Sequence, residues 1–164
     1  MMRRSIARVA LFALAFAPAS LLPLPAHAQG DGPLKAEDLA GAYEIVSGEK
    51  FGIPEPSERI KGSTVRFTKD RVVVMDKESK EIYGAAYSLE ATEAAAGESE
   101  SGATASKIKM TSKLADSEET VAYGLVDKDG DQVRLVYALP GGEVPREFKT
   151  KDKQLLFVLK KKAD

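Results

Sequence analysis

The strongest constraint in this sequence is a hydrophobic period of two. Val65 and Phe67 alternate with Thr64, Arg66 and Thr68, and Ile108 and Met110 alternate with Lys107 and Lys109. Val121, Tyr123 and Leu125 share one side of their segment, as do Val133, Leu135 and Tyr137 of the next. Successive strand side chains point to opposite faces, so each segment reads as a strand with one face to bury. Residues 71–75 are almost purely β-branched, and residues 81–89 place Tyr83, Ala85, Tyr87 and Leu89 together. Residues 42–46 read as the first strand, 146–148 as a late short one and 155–159 as the last. Helical turns are expected at 35–39 and 57–60, each too short to stand alone. Turn chemistry falls at Lys69-Asp70, at 76–80, at Asp127-Lys128-Asp129-Gly130-Asp131 and at Pro140-Gly141-Gly142. Eight or nine short strands with no covering helix must bury one face of the sheet against itself. The sequence therefore predicts an all-β protein, an antiparallel up-and-down barrel of about eight strands. A two-sheet β-sandwich is the alternative.

Residues 1–28 read as a removable export signal. Arg3, Arg4 and Arg8 make a positive start, 9–17 an apolar run, and Ala26-His27-Ala28 a small-x-small cleavage site. Arg3-Arg4 also allows a twin-arginine reading. The apolar run falls short of the ~20 residues that a membrane span needs, so no integral membrane segment is expected. The expected organisation is a leader at 1–28, a flexible lead at 29–38, a barrel domain at 39–160 and a basic tail at 161–164. Within the domain, residues 90–106 consist only of Ala, Glu, Gly, Ser and Thr, and read as a low-complexity loop. The expected location is exported, periplasmic or extracellular.

Cleavage after Ala28 leaves 136 residues with 21 basic and 25 acidic side chains. It also removes His27, the single histidine of a chain that has no cysteine. Cys/His metal sites, histidine-dependent triads, thiol nucleophiles and disulfides are thereby excluded. The acidic balance argues against nucleic acid as a partner. No carboxylate pair stands out by spacing, so no catalytic residue, metal site or cofactor is expected and the chain reads as a non-enzyme. The 127–131 run invites a calcium reading, but an EF-hand loop needs Gly at its sixth position and Glu at its twelfth. Here Gly is fourth and Ala138 is twelfth, so the run reads as a turn.

From residue 39 to 160 the sequence resembles the small lipocalin-like domain described mainly from planctomycete bacteria. The resemblance is carried by Leu39-Ala40-Gly41-Ala42-Tyr43-Glu44-Ile45-Val46 and by Lys61-Gly62-Ser63-Thr64-Val65-Arg66-Phe67-Thr68. It continues through Gly124-Leu125-Val126, Asp129-Gly130-Asp131, Val133-Arg134-Leu135-Val136-Tyr137-Ala138, Pro140-Gly141-Gly142 and Phe148. It implies a calycin-type antiparallel barrel and little about activity. Two departures stand out: Tyr43 replaces the family's first-strand Trp, and Val144-Pro145-Arg146 replaces its Arg-Pro. By analogy with lipocalins, Lys160 or Lys161 would cover the Tyr43 ring and close the barrel bottom.

For function, the residues offer two readings. In the first, Tyr83, Tyr87, Tyr123 and Tyr137, with Phe67 and Met110, line an interior that binds a small apolar or amphipathic molecule. In the second, these side chains simply fill the barrel, which acts as a structural or protein-interaction module of the cell envelope, with the 90–106 loop as an arm for a protein partner. A monomer is expected in either case. The lysines at 149, 151, 153 and 160–162 read as solvated edge charges that block aggregation.

Overall fold

The computed structural model of the protein describes residues 33–91, 105–112 and 118–163. The expected leader and most of the expected low-complexity loop lie outside them. In chain order the elements are α1 (Ala36–Leu39), β1 (Gly41–Lys50), β2 (Ile53–Pro54), α2 (Ser57–Ile60), β3 (Thr64–Phe67) and β4 (Arg71–Met75). There follow β5 (Glu81–Ala91), β6 (Ser106–Ser112), β7 (Thr120–Asp129), β8 (Gln132–Ala138) and β9 (Gln154–Lys161). From β3 to β9 every strand pairs antiparallel with its neighbour in sequence, and β1 pairs with both β3 and β9. That last pairing closes the sheet into an eight-stranded up-and-down barrel, with β2 a two-residue extension beside the end of β1. Closure excludes the sandwich and leaves no long free edge.

Alternation decides what lies inside. Tyr43 and Ile45 of β1, Val65 and Phe67 of β3, Ala85 and Tyr87 of β5, Ile108 and Met110 of β6, and Val133 and Leu135 of β8 form one buried cluster. Phe67 stands edge-on between two tyrosines, its centroid 5.8 Å from that of Tyr43 and 5.6 Å from that of Tyr87. Perpendicular pairs of this kind set a positive ring edge against a negative face, adding about 0.5–1.5 kcal/mol beyond area burial. The bulge at Val46 shifts the β1–β9 register between Ile45 and Ser47, which increases local twist where the sheet must curve shut.

One end of the barrel is plugged by the chain's own start. Leu39 is fully buried, and Leu34 and Ala36 pack on the interior cluster. The Tyr43 hydroxyl donates to the Leu39 carbonyl at 2.8 Å, the Leu34 N–H to Ser106 Oγ at 3.1 Å, and the Lys128 ammonium to the Asp38 carbonyl at 2.6 Å. A four-residue helix is too short to hold itself, so these side-chain bonds and Leu39 burial fix it in place.

Three expectations need correction here. Residues 146–148 form no strand: 139–153 are a connection folded back over the outer face of β8, with the Phe148 ring 4.4 Å from the Arg134 guanidinium and Pro145 buried. Its local hydrogen bonds go to turns and to Gln154, whose amide donates to the Glu143 carbonyl at 2.7 Å. The expected 90–106 loop is too wide, since β5 runs through Ala91 and Ser106 opens β6 at 0% exposure. The 127–131 turn is shorter than expected. β7 continues to Asp129, which pairs with Gln132, so Gly130 and Asp131 alone make the connection, with Gly130 at φ +57°.

Candidate functional site

The two ends of the barrel differ in how they treat inward-facing side chains. Beside α1 they are sealed: Tyr43, Val126, Val133 and Leu159 are each 0% exposed and Val72 is 1%. At the opposite end, beside α2, the inward positions Val74, Tyr83, Tyr137 and Phe157 are only partly buried, and Ile60 of α2 packs against the cluster from that side. Strand direction explains the grouping. Tyr83 lies early in β5, Ser112 ends β6, Tyr137 comes late in β8 and Phe157 early in β9, so antiparallel order brings all four to one mouth. The Tyr137 and Phe157 rings lie 6.4 Å apart, tilted by 30°. Met110, at 1% exposure, forms part of the floor.

Among the described inward-facing residues, the polar groups at this mouth are phenols and a hydroxyl. Burial pushes the Tyr83 phenol above its ordinary pKa, while a hydrogen bond from the Ser112 side chain pulls the other way. Burial raises Tyr137 further, and the neighbouring Tyr83 adds to the rise. Both therefore stay as neutral O–H groups across the physiological range. The Tyr137 hydroxyl has no hydrogen-bond partner among the described residues. The arrangement offers aromatic faces and neutral hydrogen-bonding handles, the usual makings of a small-molecule site.

The expected site residues separate accordingly. Tyr83 and Tyr137 meet at the mouth, with Met110 beneath them. Phe67 and Tyr87 lie deeper, toward the sealed end. Tyr87 donates its hydroxyl to the Thr68 carbonyl at 2.7 Å, so its polar group is already engaged. Burial first, and the charge of Asp70 next, push its pKa up to about 12. Tyr43 is likewise raised by burial. Tyr123 does not join them: it is 48% exposed on the outer face, because Ala122, Gly124 and Val126 are the inward residues of β7. Small size explains the inversion. The ideal Cβ position of Gly124 lies 2.0 Å from the Val136 carbonyl oxygen and 2.8 Å from Tyr137 Cα, so β7 and β8 approach more closely here than any side chain permits.

The closure residues also resolve. Lys160 points outward, opposite Glu44, with its ammonium 4.0 Å from Asp131. Lys161 is the cross-strand partner of Tyr43, and the Cβ position of Gly41 lies 3.3 Å from Lys161 Cε and 3.8 Å from Tyr43 Cε2. Sequence reasoning missed Ser112, Phe157 and Val74, although the alternation in 155–159 carried a signal for Phe157. On the outer face, the 139–153 connection encloses a recess of about 20 Å³ lined by Glu143, Pro145, Arg146, Lys149 and Gln154. That holds about one water and no organic ligand.

Comparison with protein-family models, with curated proteins and with solved structures found no match.

Proposed function

We propose that this protein is an exported, non-catalytic, lipocalin-like barrel that binds a small apolar or amphipathic molecule at the mouth beside α2. One observation carries the reading: inward-facing Tyr83, Tyr137 and Phe157 are left partly open there, whereas inward side chains at the α1 end are sealed. A barrel serving only as a scaffold gains by covering both ends, since each fully buried large side chain contributes roughly 1.5–3 kcal/mol. Export is supported by the leader pattern of residues 1–28, and the non-catalytic reading by the absence of histidine and cysteine beyond it.

The test is native mass spectrometry and solvent extraction of the processed protein from its own host, paired with titration by the apolar fluorophore N-phenyl-1-naphthylamine. A reproducibly extracted small molecule, and fluorophore binding weakened by Tyr83→Ala, are expected. A clean apo protein that leaves the fluorophore dark would overturn the reading. The filled-barrel alternative has its own support in Phe67, Ile108, Met110 and Leu159, each at 2% exposure or less in the barrel interior. Under that alternative the same purification yields an apo barrel with a co-purifying protein.

A further inference from the structure

Large apolar side chains left in solvent gather at one end of this barrel. Of six such residues among the described ones, Phe51, Ile53, Ile82 and Val144 belong to segments at the end beside α2. Phe51 and Ile53 share the β1–β2 turn, at 40% and 69% exposure. Lys50 pairs with Ile53, so Phe51 and Gly52 alone make that turn, with φ of +56° and +79°. A two-residue hairpin turn with both central φ positive favours Asn, Asp or Gly at its first position, because a Cβ there crowds the following carbonyl. Phe51 thus combines an unfavourable backbone conformation with an exposed ring, two features that each oppose folding. The turn is also braced. The Phe51 N–H donates to the Gln154 carbonyl at 3.0 Å, and the Gly52 N–H to Thr150 Oγ1 at 2.7 Å.

Lysines stand directly behind the apolar tip. The Lys50 ammonium lies 5.2 Å from the Phe51 centroid, and exposed Lys149 and Lys151 flank Thr150. The nearby carboxylates are largely occupied. Glu49 accepts from the Thr150 N–H and hydroxyl, and Glu55 lies 3.8 Å from the Arg59 guanidinium. Glu143 and Glu147 line the recess with Arg146 and Lys149, and exposed Asp152 follows Lys151 and precedes Lys153. We infer that the Phe51–Ile53 turn is a docking tip that inserts its two apolar side chains into the surface of an anionic lipid bilayer, with Lys50, Lys149 and Lys151 meeting the headgroup phosphates. This docking is independent of the small-molecule site and needs no cavity. Shape favours a bilayer over a protein. A specific protein partner requires about 800 Å² from each side, more than one two-residue turn offers. A bilayer interface accepts a small convex apolar tip backed by lysines.

The experiment is co-sedimentation of the processed protein with vesicles of phosphatidylcholine, with and without phosphatidylglycerol. Binding to the mixed vesicles is expected, weaker on neutral vesicles and at high salt. Phe51→Asn suits the positive φ, so it should keep or raise the thermal midpoint while weakening vesicle binding about tenfold. A ring that serves the fold instead would lower that midpoint when removed. Lys151→Gln should weaken binding to the mixed vesicles by up to about fivefold. The sequence has no Trp, so Phe51→Trp places a single reporter at the tip, and its emission should shift to the blue on mixed vesicles. Protein that stays in the supernatant, equal binding to both vesicle types, or undiminished binding by Phe51→Asn would overturn the inference. So would an unshifted emission in a Phe51→Trp protein that does sediment. A mass that doubles without vesicles and reverts in Phe51→Asn would assign the tip to a second copy instead.

Discussion

Replacing Gly124 by alanine adds one methyl group at the tightest point of the barrel wall. The new Cβ would sit 2.0 Å from the Val136 carbonyl oxygen and 2.8 Å from Tyr137 Cα, where ordinary contact begins near 3.4 Å. Both neighbours are backbone atoms of β8, so no rotamer change relieves the overlap, and β7 and β8 must separate. Separation strains the cross-strand pairs Gly124↔Tyr137 and Leu125↔Val136 and displaces the fully buried Val126 and Val136. Overpacking of a close-packed interior costs about 1–3 kcal/mol where side chains can shift, and a backbone obstruction belongs at or above the upper end. We expect a loss of about 3 kcal/mol, or roughly 10 °C in Tm for a domain of this size. The assay is urea unfolding followed by far-ultraviolet circular dichroism, with Gly130→Ala as the control. At Gly130 nothing lies within 4 Å of the added carbon, and the cost is conformational, because φ is +57°. That control should lose about 1–2 kcal/mol. If Gly124→Ala stays within about 0.5 kcal/mol of the parent, or costs no more than the control, then the close β7–β8 approach is not what that glycine provides.

Alkaline pH should destabilise the fold through Tyr87. Its folded pKa of about 12 lies above the ordinary phenol value of 10.0, so the unfolded chain releases its proton first. Stability is therefore intact below pH 10 and falls as pH rises toward 12, by an amount on the order of 2 kcal/mol. Urea midpoints at pH 9 and pH 11 measure this, and Tyr87→Phe should shrink the difference; equal midpoints in the parent would refute it. Arg134→Met should cost about 3–5 kcal/mol, because the Asp127 carboxylate, 3% exposed, loses the guanidinium that donates to both its oxygens. Adding Asp127→Leu should recover most of that loss, and a coupling below about 1 kcal/mol in the double-mutant cycle would mean the pair is incidental. Leu39→Ala should cost about 2–4 kcal/mol by opening the plugged end; a thermal midpoint matching the parent would show that α1 merely rests there.

The strands were legible where local chemistry was unambiguous. β4 and β8 have the bounds that β-branched runs and turn residues predict, and the Gly130-Asp131 turn lies where the sequence places it. Parity within β7 was legible too, since Val121, Tyr123 and Leu125 do share a face. Which face turns inward was not, because both carry apolar residues. The outer face hides some as well: Leu125 is 4% exposed and Val136 0%, yet neither belongs to the interior cluster. The 139–153 connection folds back on that side of β8, and such long-range cover leaves no periodic trace. The same cause misled the reading of 146–148, where Phe148 serves Arg134 rather than a ladder. At the site, Tyr83 and Tyr137 were legible from alternation, but their grouping with Ser112 and Phe157 depends on strand direction at closure. Lys160 and Lys161 differ by one residue and so face opposite ways, a distinction that only the register Tyr43↔Lys161 fixes.

The seam between β1 and β9 makes the described chain a loop with a clasp. Tyr43 sits opposite Lys161, so the start of β1 and the end of β9 lie side by side at one rim. Joining them through a short linker and cutting instead between Gly130 and Asp131 would rearrange the order of synthesis while keeping every strand ladder. In the natural order the clasp fastens last. Until the eight residues of β9 are in place, the sheet carries two raw borders able to zip onto those of another copy.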